Sequence, residues 1–496
     1  LCGWNFSRAD GFQKNPFCAK EDTRHMSSIS ALNSLLSGNN SADAIDLSSI
    51  LEAITGASTP GIDVNAAVSA SVTAAEAPEQ TWESQQNTLQ SQTTALTQIQ
   101  SDATALDNDV KALNSLTGPL TSATVNSSNS SVVTGSAAAG SASGNYALVV
   151  GSLATTASYS SSAVATSTTA LPAETITITP AGGTATNFTT GSGVNTLSDL
   201  ENAINTAGLG VTASIVTDAS GARLALVANS SGSASNFTVA ATGGSFAFTQ
   251  AEAGANASLT VNGIQISSAS NTVTGAIPGV TLNLASASPT TVNLTIAPNT
   301  SQASAAINQF VSDYNTLIGD VNAQYSDASG EGEGVLAQDP TVQTLQSDLL
   351  NVLDYTAVPA SGTTTVPNLS SLGITVNEDG TLTVNSATLS NVLANNYGDV
   401  QSFFQGTALN GFANSVDQQL TSFTSPGDGA FTVDLNNMSS ENTSLQTDIN
   451  NFQANIITPL KAQLQSEYSK AEIALQQLPA ELKDVDAELG LNNSSS

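Results

Sequence analysis

Apolar residues recur at two different periods along this chain, and the change from one period to the other fixes its layout. Leu89, Leu96, Ile99, Ala103, Leu106, Val110 and Leu113 occupy the a and d positions of one heptad register. Ala471, Leu475, Leu478, Leu482, Val485 and Leu489 do the same near the far end. Steps of three and four residues gather each set into a narrow stripe on one helix face. Such a stripe needs a partner helix, so the termini are expected to pair with each other or with further copies of the chain. Between them, from about Val125 to Pro298, the period falls to two and β-branched residues dominate, as in Thr175-Ile176-Thr177-Ile178-Thr179. That alternation belongs to strands with one buried face. The fold class that follows is multidomain α+β, with helical regions built from both chain ends around a β-rich middle. It is the design of an assembling protein rather than of a self-contained enzyme.

At 496 residues the chain has room for about three domains. Ser, Thr, Ala, Asn and Gly are abundant and aromatics few, yet 40% of residues are hydrophobic, which argues for packed cores joined by polar loops. The formal net charge of −31 is unevenly distributed. Four of the nine basic residues (Arg8, Lys14, Lys20, Arg24) precede Met26, together with Cys2, Cys18, His25 and Trp4. So sharp a break suggests that residues 1–25 are a non-native leader, from upstream translation or an expression remnant; a genuine short leader is the alternative. The segment lacks the apolar stretch of a secretory signal. The acidic body argues against nucleic acid and against anionic membrane surfaces as partners. No apolar run is long enough to insert across a bilayer. The body after Met26 has no cysteine, which suits a chain that crosses an export channel unfolded.

Residues 26–78 read as a mobile, weakly helical N-terminal segment, with Leu32, Leu35, Leu36, Ile45, Leu47, Ile50, Leu51 and Ile54 as scattered apolar positions. Asp63 is a candidate N-cap, its carboxylate placed to accept an early helix amide. The first long helix of the coiled coil and bundle lies in 79–124, spanning about Glu79 to Leu116 before Gly118-Pro119 stops it. Residues 125–298 form β-rich plate domains, with an inner insert at roughly 172–250. A short helix there carries Leu197, Leu200, Ala203 and Ile204 and ends at Gly208, and Asn262-Gly263 marks a hairpin. Residues 299–440 read as a helical bundle with a second hairpin turning at Asp379-Gly380. Its broad apolar faces run from Ala306 to Val321 and from Val342 to Leu353. C-terminal helices fill 441–496, beginning near Asn442, with a shift in spacing between Ile449 and Tyr468 and a kink or break expected in that stretch, where Pro459 sits.

Catalytic and metal motifs are missing from the body. Without His or Cys there is no Ser-His-Asp or Cys-His arrangement and no thiolate zinc site. Walker A, G-x-G-x-x-G and G-x-S-x-G sequences are absent, so no cofactor is expected. A two-carboxylate glycosidase remains formally open, but such sites carry aromatic platforms and basic partners that are scarce here. Asp327 to Gly334 has the composition of a calcium loop without its acidic spacing, and reads as a flexible acidic loop. Trp82 continues the first heptad register upstream and reads as a packed interface residue rather than a ligand platform.

Several motifs, in order, resemble the flagellar filament cap protein (hook-associated protein 2) family. They are Gly61-Ile62-Asp63-Val64-Asn65 through Glu76-Ala77-Pro78; Thr196-Leu197 through Ala203-Ile204-Asn205 to Leu209-Gly210-Val211 and Gly221-Ala222-Arg223-Leu224; Leu259 to Gly263, then Ser270-Asn271-Thr272-Val273 and Ile277-Pro278-Gly279-Val280-Thr281-Leu282; Phe310-Val311-Ser312-Asp313-Tyr314-Asn315; and Ser371-Leu372-Gly373-Ile374 with Asp379-Gly380-Thr381-Leu382. Phe403-Phe404 and Gly411-Phe412-Ala413 also fit. The resemblance implies secretion through the flagellar type III export channel, with an export chaperone beforehand. It implies a homo-oligomeric ring, often a pentamer, at the filament tip, where it retains exported flagellin and promotes its folding and insertion. Some members bind host surfaces. The expected filament and self-assembly interface comprises Leu89, Leu96, Ile99, Leu106, Val110 and Leu113 with Leu475, Leu478, Leu482, Val485 and Leu489. The rival readings are a surface adhesin and a related axial protein, either a flagellin or a hook–filament junction protein.

Overall fold

The computed structural model describes residues 63–325, 333–357 and 364–488. The expectations for residues 1–25 and 27–60, for most of the acidic loop after Asp327 and for Leu489 fall outside them. The chain divides into two compact units, residues 1–87 with 441–496, and residues 88–440.

Helices α1 (Val64–Ala75) and α2 (Ala77–Asn114) open the described chain. Pro78 sits in the first turn of α2, where its missing N–H has no intrahelical partner to lose. Asn114 ends the helix slightly before the expected Leu116, which is left exposed.

Strands β1 (Ala123–Ser127), β2 (Val133–Ala137), β3 (Gly144–Ser152), β11 (Ala257–Val261), β12 (Ile264–Ser268), β13 (Thr272–Ile277), β14 (Val280–Leu284) and β15 (Ser288–Pro298) build two sheets, ordered β1-β15-β3-β11-β12 and β13-β14-β2. Their inward residues, among them Leu148, Val150, Leu259, Leu282 and Leu294, share one core. Asn262 (φ 48°) and Gly263 (φ 82°) make the tight turn between β11 and β12, the positive-φ pair that matches strand twist.

The neighbours β3 and β11 are far apart in sequence, and an insert fills the gap. It holds β4 (Ser158–Ser161), β5 (Thr175–Pro180), β6 (Thr186–Thr189), α3 (Leu197–Ala207), β7 (Val211–Asp218), β8 (Gly221–Ala228), β9 (Phe237–Ala241) and β10 (Phe248–Glu252). The sheets run β10-β4-β8-β7 and β6-β5-β9, and close with α3 on a separate core. The insert starts earlier than the expected residue 172 because β4 pairs with both β8 and β10. Thr196 and Asp199 form a reciprocal capping box at the start of α3, and Gly208 ends it in the left-handed region at φ 62°.

The remaining elements of this unit are α4 (Thr300–Ala323), α5 (Pro340–Val352), β16 (Ile374–Val376), β17 (Leu382–Val384), α6 (Ser386–Asn395), α7 (Tyr397–Gln405), α8 (Phe412–Thr424) and the first part of α9 (Ala430–Phe452). They pack with α2 around a core centred on Phe310, Phe403, Phe404 and Phe412. The rings of Phe403 and Phe412 stack with centroids 5.2 Å apart. The last long helical region therefore begins at Ala430, before the expected Asn442.

The other unit contains α1, the start of α2, the end of α9 and α10 (Thr458–Glu488). In the stretch where the spacing shifts, a π-helical turn, Gln453–Ile457, joins α9 to α10, and the helix runs on through Pro459 without a break. The stripe Leu445, Ile449, Phe452 and Ile456 would continue onto Pro459 and Gln463. The buried or half-buried positions are instead Ile457, Leu460 and Leu464, each one residue later. A π turn absorbs that extra residue without interrupting the helix.

Candidate assembly surface

The two heptad stripes meet opposite fates. On α2, Leu96, Leu106, Val110 and Leu113 have no exposed surface and Ile99 almost none, all of them within the core built with α4 to α8. Leu89 is buried as well. The five in that core are packing residues of their own unit. For them the partner helices the stripe demands are supplied by the same chain.

On α10 the partner is partial. Asp63 caps α1 by accepting the Ala66 N–H at 3.0 Å, as its position suggests. From α1, Val68 and Val72 pack on Ile457, with Val64, Ala75, Leu464 and Tyr468 half-buried around them. Trp82 closes the same unit, its ring edge-on to Phe452 at 5.4 Å, and Gln86 donates to the Asn442 carbonyl at 3.3 Å. The cover thins beyond Tyr468. Leu475 is 42% exposed and Leu478 49%, although both belong to the a/d stripe. The side chains of Leu482 and Val485, and Leu489 entirely, lie outside the described residues. Ile473, exposed on the opposite face, is a single apolar residue of the kind common on surfaces. Lys461, Lys470 and Lys483 are exposed along the same helix, three of the five basic residues that follow Met26.

Among the described residues no group of three or more His, Cys, Asp or Glu could hold a metal ion. A cavity of about 510 Å³ is lined by Leu353, Asp354, Tyr355, Asn368 and Val376 and by no basic side chain. The carboxyl of Asp109 is pushed up to about 7, by burial first and then by Asp313 beside it, but it lies on the flank of α2 and not in that cavity. No described helix is long and apolar enough to cross a membrane.

Folded helical regions from both chain ends, a β-rich middle and a bundle between define a multidomain α+β chain with a partly covered terminal helix. Two family models match it: flagellar hook-associated protein 2 N-terminus over residues 60–157, and flagellar hook-associated protein 2 C-terminus over residues 254–480. Together they take in well over half of the sequence, and the chain belongs to the flagellar hook-associated protein 2 family. Neither match extends over residues 158–253, where β4 to β10 and α3 lie.

Among relatives, the B-type flagellar hook-associated protein 2 of Pseudomonas aeruginosa is 27% identical over 331 residues, covering 60% of this chain and 69% of the relative. The A-type protein from the same species is 30% identical over 180 residues, and the match spans 36% of its length. The solved D1-D2-D3 domains of the flagellar cap protein FliD from Escherichia coli share the fold, with a TM-score of 0.57 and 24% identity, covering 70% of this chain and 99% of that one.

Proposed function

We propose that this chain is a non-catalytic filament cap. Copies form a ring at the distal tip of an extracellular flagellar filament, where they retain exported flagellin and promote its folding and insertion. Leu475 and Leu478 carry the reading. They are large apolar residues on a heptad stripe, exposed on a helix whose preceding turns are covered by α1. An a/d stripe without a partner loses free energy to water until another helix covers it. Leu482, Val485 and Leu489 extend the same register in the sequence. The partners that fit are helices of neighbouring copies and of flagellin at the tip.

The test is a Leu475→Glu, Leu478→Glu double variant of the full chain. It should keep its circular dichroism and lose both the ring, seen by light scattering or negative-stain imaging, and the ability to support filament growth. A folded double variant that still caps filaments overturns the assignment of this face. A chain that binds host glycans with no flagellin present, and forms no ring, would instead be an adhesin.

A further inference from the structure

The stripe on α2 is flanked by carboxylates set in an unusual way. Asp102 and Asp109 stand one heptad apart, each immediately before a buried stripe residue, Ala103 and Val110. On α4, Asp313 and Asp320 are also one heptad apart, again each immediately before a buried residue, Tyr314 and Val321. Because the two helices run antiparallel, Asp102 meets Asp320 and Asp109 meets Asp313 across the seam. Like charges at such positions repel, where opposite charges are the usual choice. Neither helix brings a cation to this flank: α4 has no Lys or Arg, and the one basic residue of α2, Lys111, is engaged elsewhere. Its Nζ lies 2.5 Å from Asp107 and 3.6 Å from Asp417 of α8, on the other side of α2. The Oδ2 atom of Asp109 is shut away from water and has no hydrogen-bond donor near it. Neutral donors serve the outer carboxylates only: Gln98 donates to Asp102 at 3.1 Å and Gln309 to Asp313 at 2.9 Å.

We infer that the α2–α4 seam is a proton-operated clasp, in which each carboxylate pair holds one proton across the seam and releasing it loosens the two helices. Two carboxylates in contact with no cation satisfy each other when one is protonated and donates, and oppose each other when both are ionised. The direction of the shifts agrees. Burial raises Asp320, with Asp102 adding to it, and burial with Asp313 raises Asp109 to about 7 from 3.8. The folded seam therefore binds more protons than the unfolded chain between those two values. Its stability is greatest on the acid side and falls as pH rises through about 7. Asp107, raised chiefly by burial against the opposing pull of Lys111, belongs to the other flank, where the lysine does the work of the missing proton.

Hydrogen exchange on the full chain tests the clasp, reading the amides of residues 99–113 and 307–321 after correction for intrinsic rates. Protection there should be greater by about tenfold or more near pH 5.5 than near pH 8.5, since one unit of differential pKa corresponds to a factor of ten. Protection in the insert should change much less. Asp109→Asn and Asp313→Asn, each supplying a permanent donor, should both reduce the ratio several-fold and retain high protection in alkali. Having both variants keeps the test informative if one fails to fold. Equal protection at the two pH values, or a full ratio surviving in both variants, overturns the proposal. A ratio that vanishes on adding a chelator also overturns it, in favour of carboxylates bridged by a divalent cation.

Discussion

The stripe on α2 and the stripe on α10 are written in the same code and used in opposite ways. One is sealed inside its own unit; the other is covered by α1 along its first turns and then left open at Leu475 and Leu478. The comparison teaches that a heptad specifies that a helix needs company, while the rest of the sequence decides whether the same chain provides it. The α2 stripe is met by the broad apolar face of α4 and by α8, with Phe310 and Phe412 among the contacts of the shared core. The distal part of α10 finds no such face among the described residues.

The comparison breaks if substitutions on the two stripes behave alike. Leu106→Ala should show the largest effect, a loss of about 2–5 kcal/mol in denaturant unfolding, because it opens a cavity in a closed core. A mild cost there would mean that the α2 stripe is loosely held. Next comes Trp82→Ala, which removes the ring contact with Phe452 and should cost about 2 kcal/mol, read as a lowered melting temperature of the unit containing α10. Asp63→Ala deletes the cap of α1 and should cost about 1 kcal/mol, visible as faster exchange of the Ala66 and Ala67 amides. Smallest in stability is Leu475→Ala combined with Leu478→Ala, within about 0.5 kcal/mol by chemical denaturation. The same pair should give the largest loss of ring formation. A cost above about 2 kcal/mol for that pair would show the distal stripe to be closed within the chain.

Much of the architecture is legible in short-range chemistry. Thr196 with Asp199, the Gly208 stop, Asn262-Gly263 and the Asp63 cap each encode a local event within a few residues, and each occurs where its residues stand. Less legible are the features that depend on distant partners. The insert begins with β4 because Ser158 to Ser161 pair with β8 and β10, and nothing within four polar residues announces that. Helices α6 to α8 are short, with Asn and Gly at their boundaries, so their period is weak until Phe403, Phe404 and Phe412 are seen to share one core. The early start of α9 escapes for a related reason: the stretch from Asn436 to Thr443, polar but for Met438, hides the helix behind Phe431 and Leu435. Among the described side chains of the expected assembly residues, Leu475 and Leu478 are the exposed ones, since burial is a property of the neighbours and not of the register.

The π turn at Gln453–Ile457 makes α10 sensitive to chain length rather than to side-chain identity. Each residue of an α-helix advances the azimuth by about 100°. Deleting one residue in this turn would restore a uniform helix and leave the bearing of Leu475 and Leu478 unchanged, whereas deleting one between Thr458 and Lys470 would swing it by more than a quarter of a revolution relative to α9. The turn thus works as an angular spacer: it holds one residue more than an α-helical turn and so keeps the outward face of α10 in line with the stripe of α9.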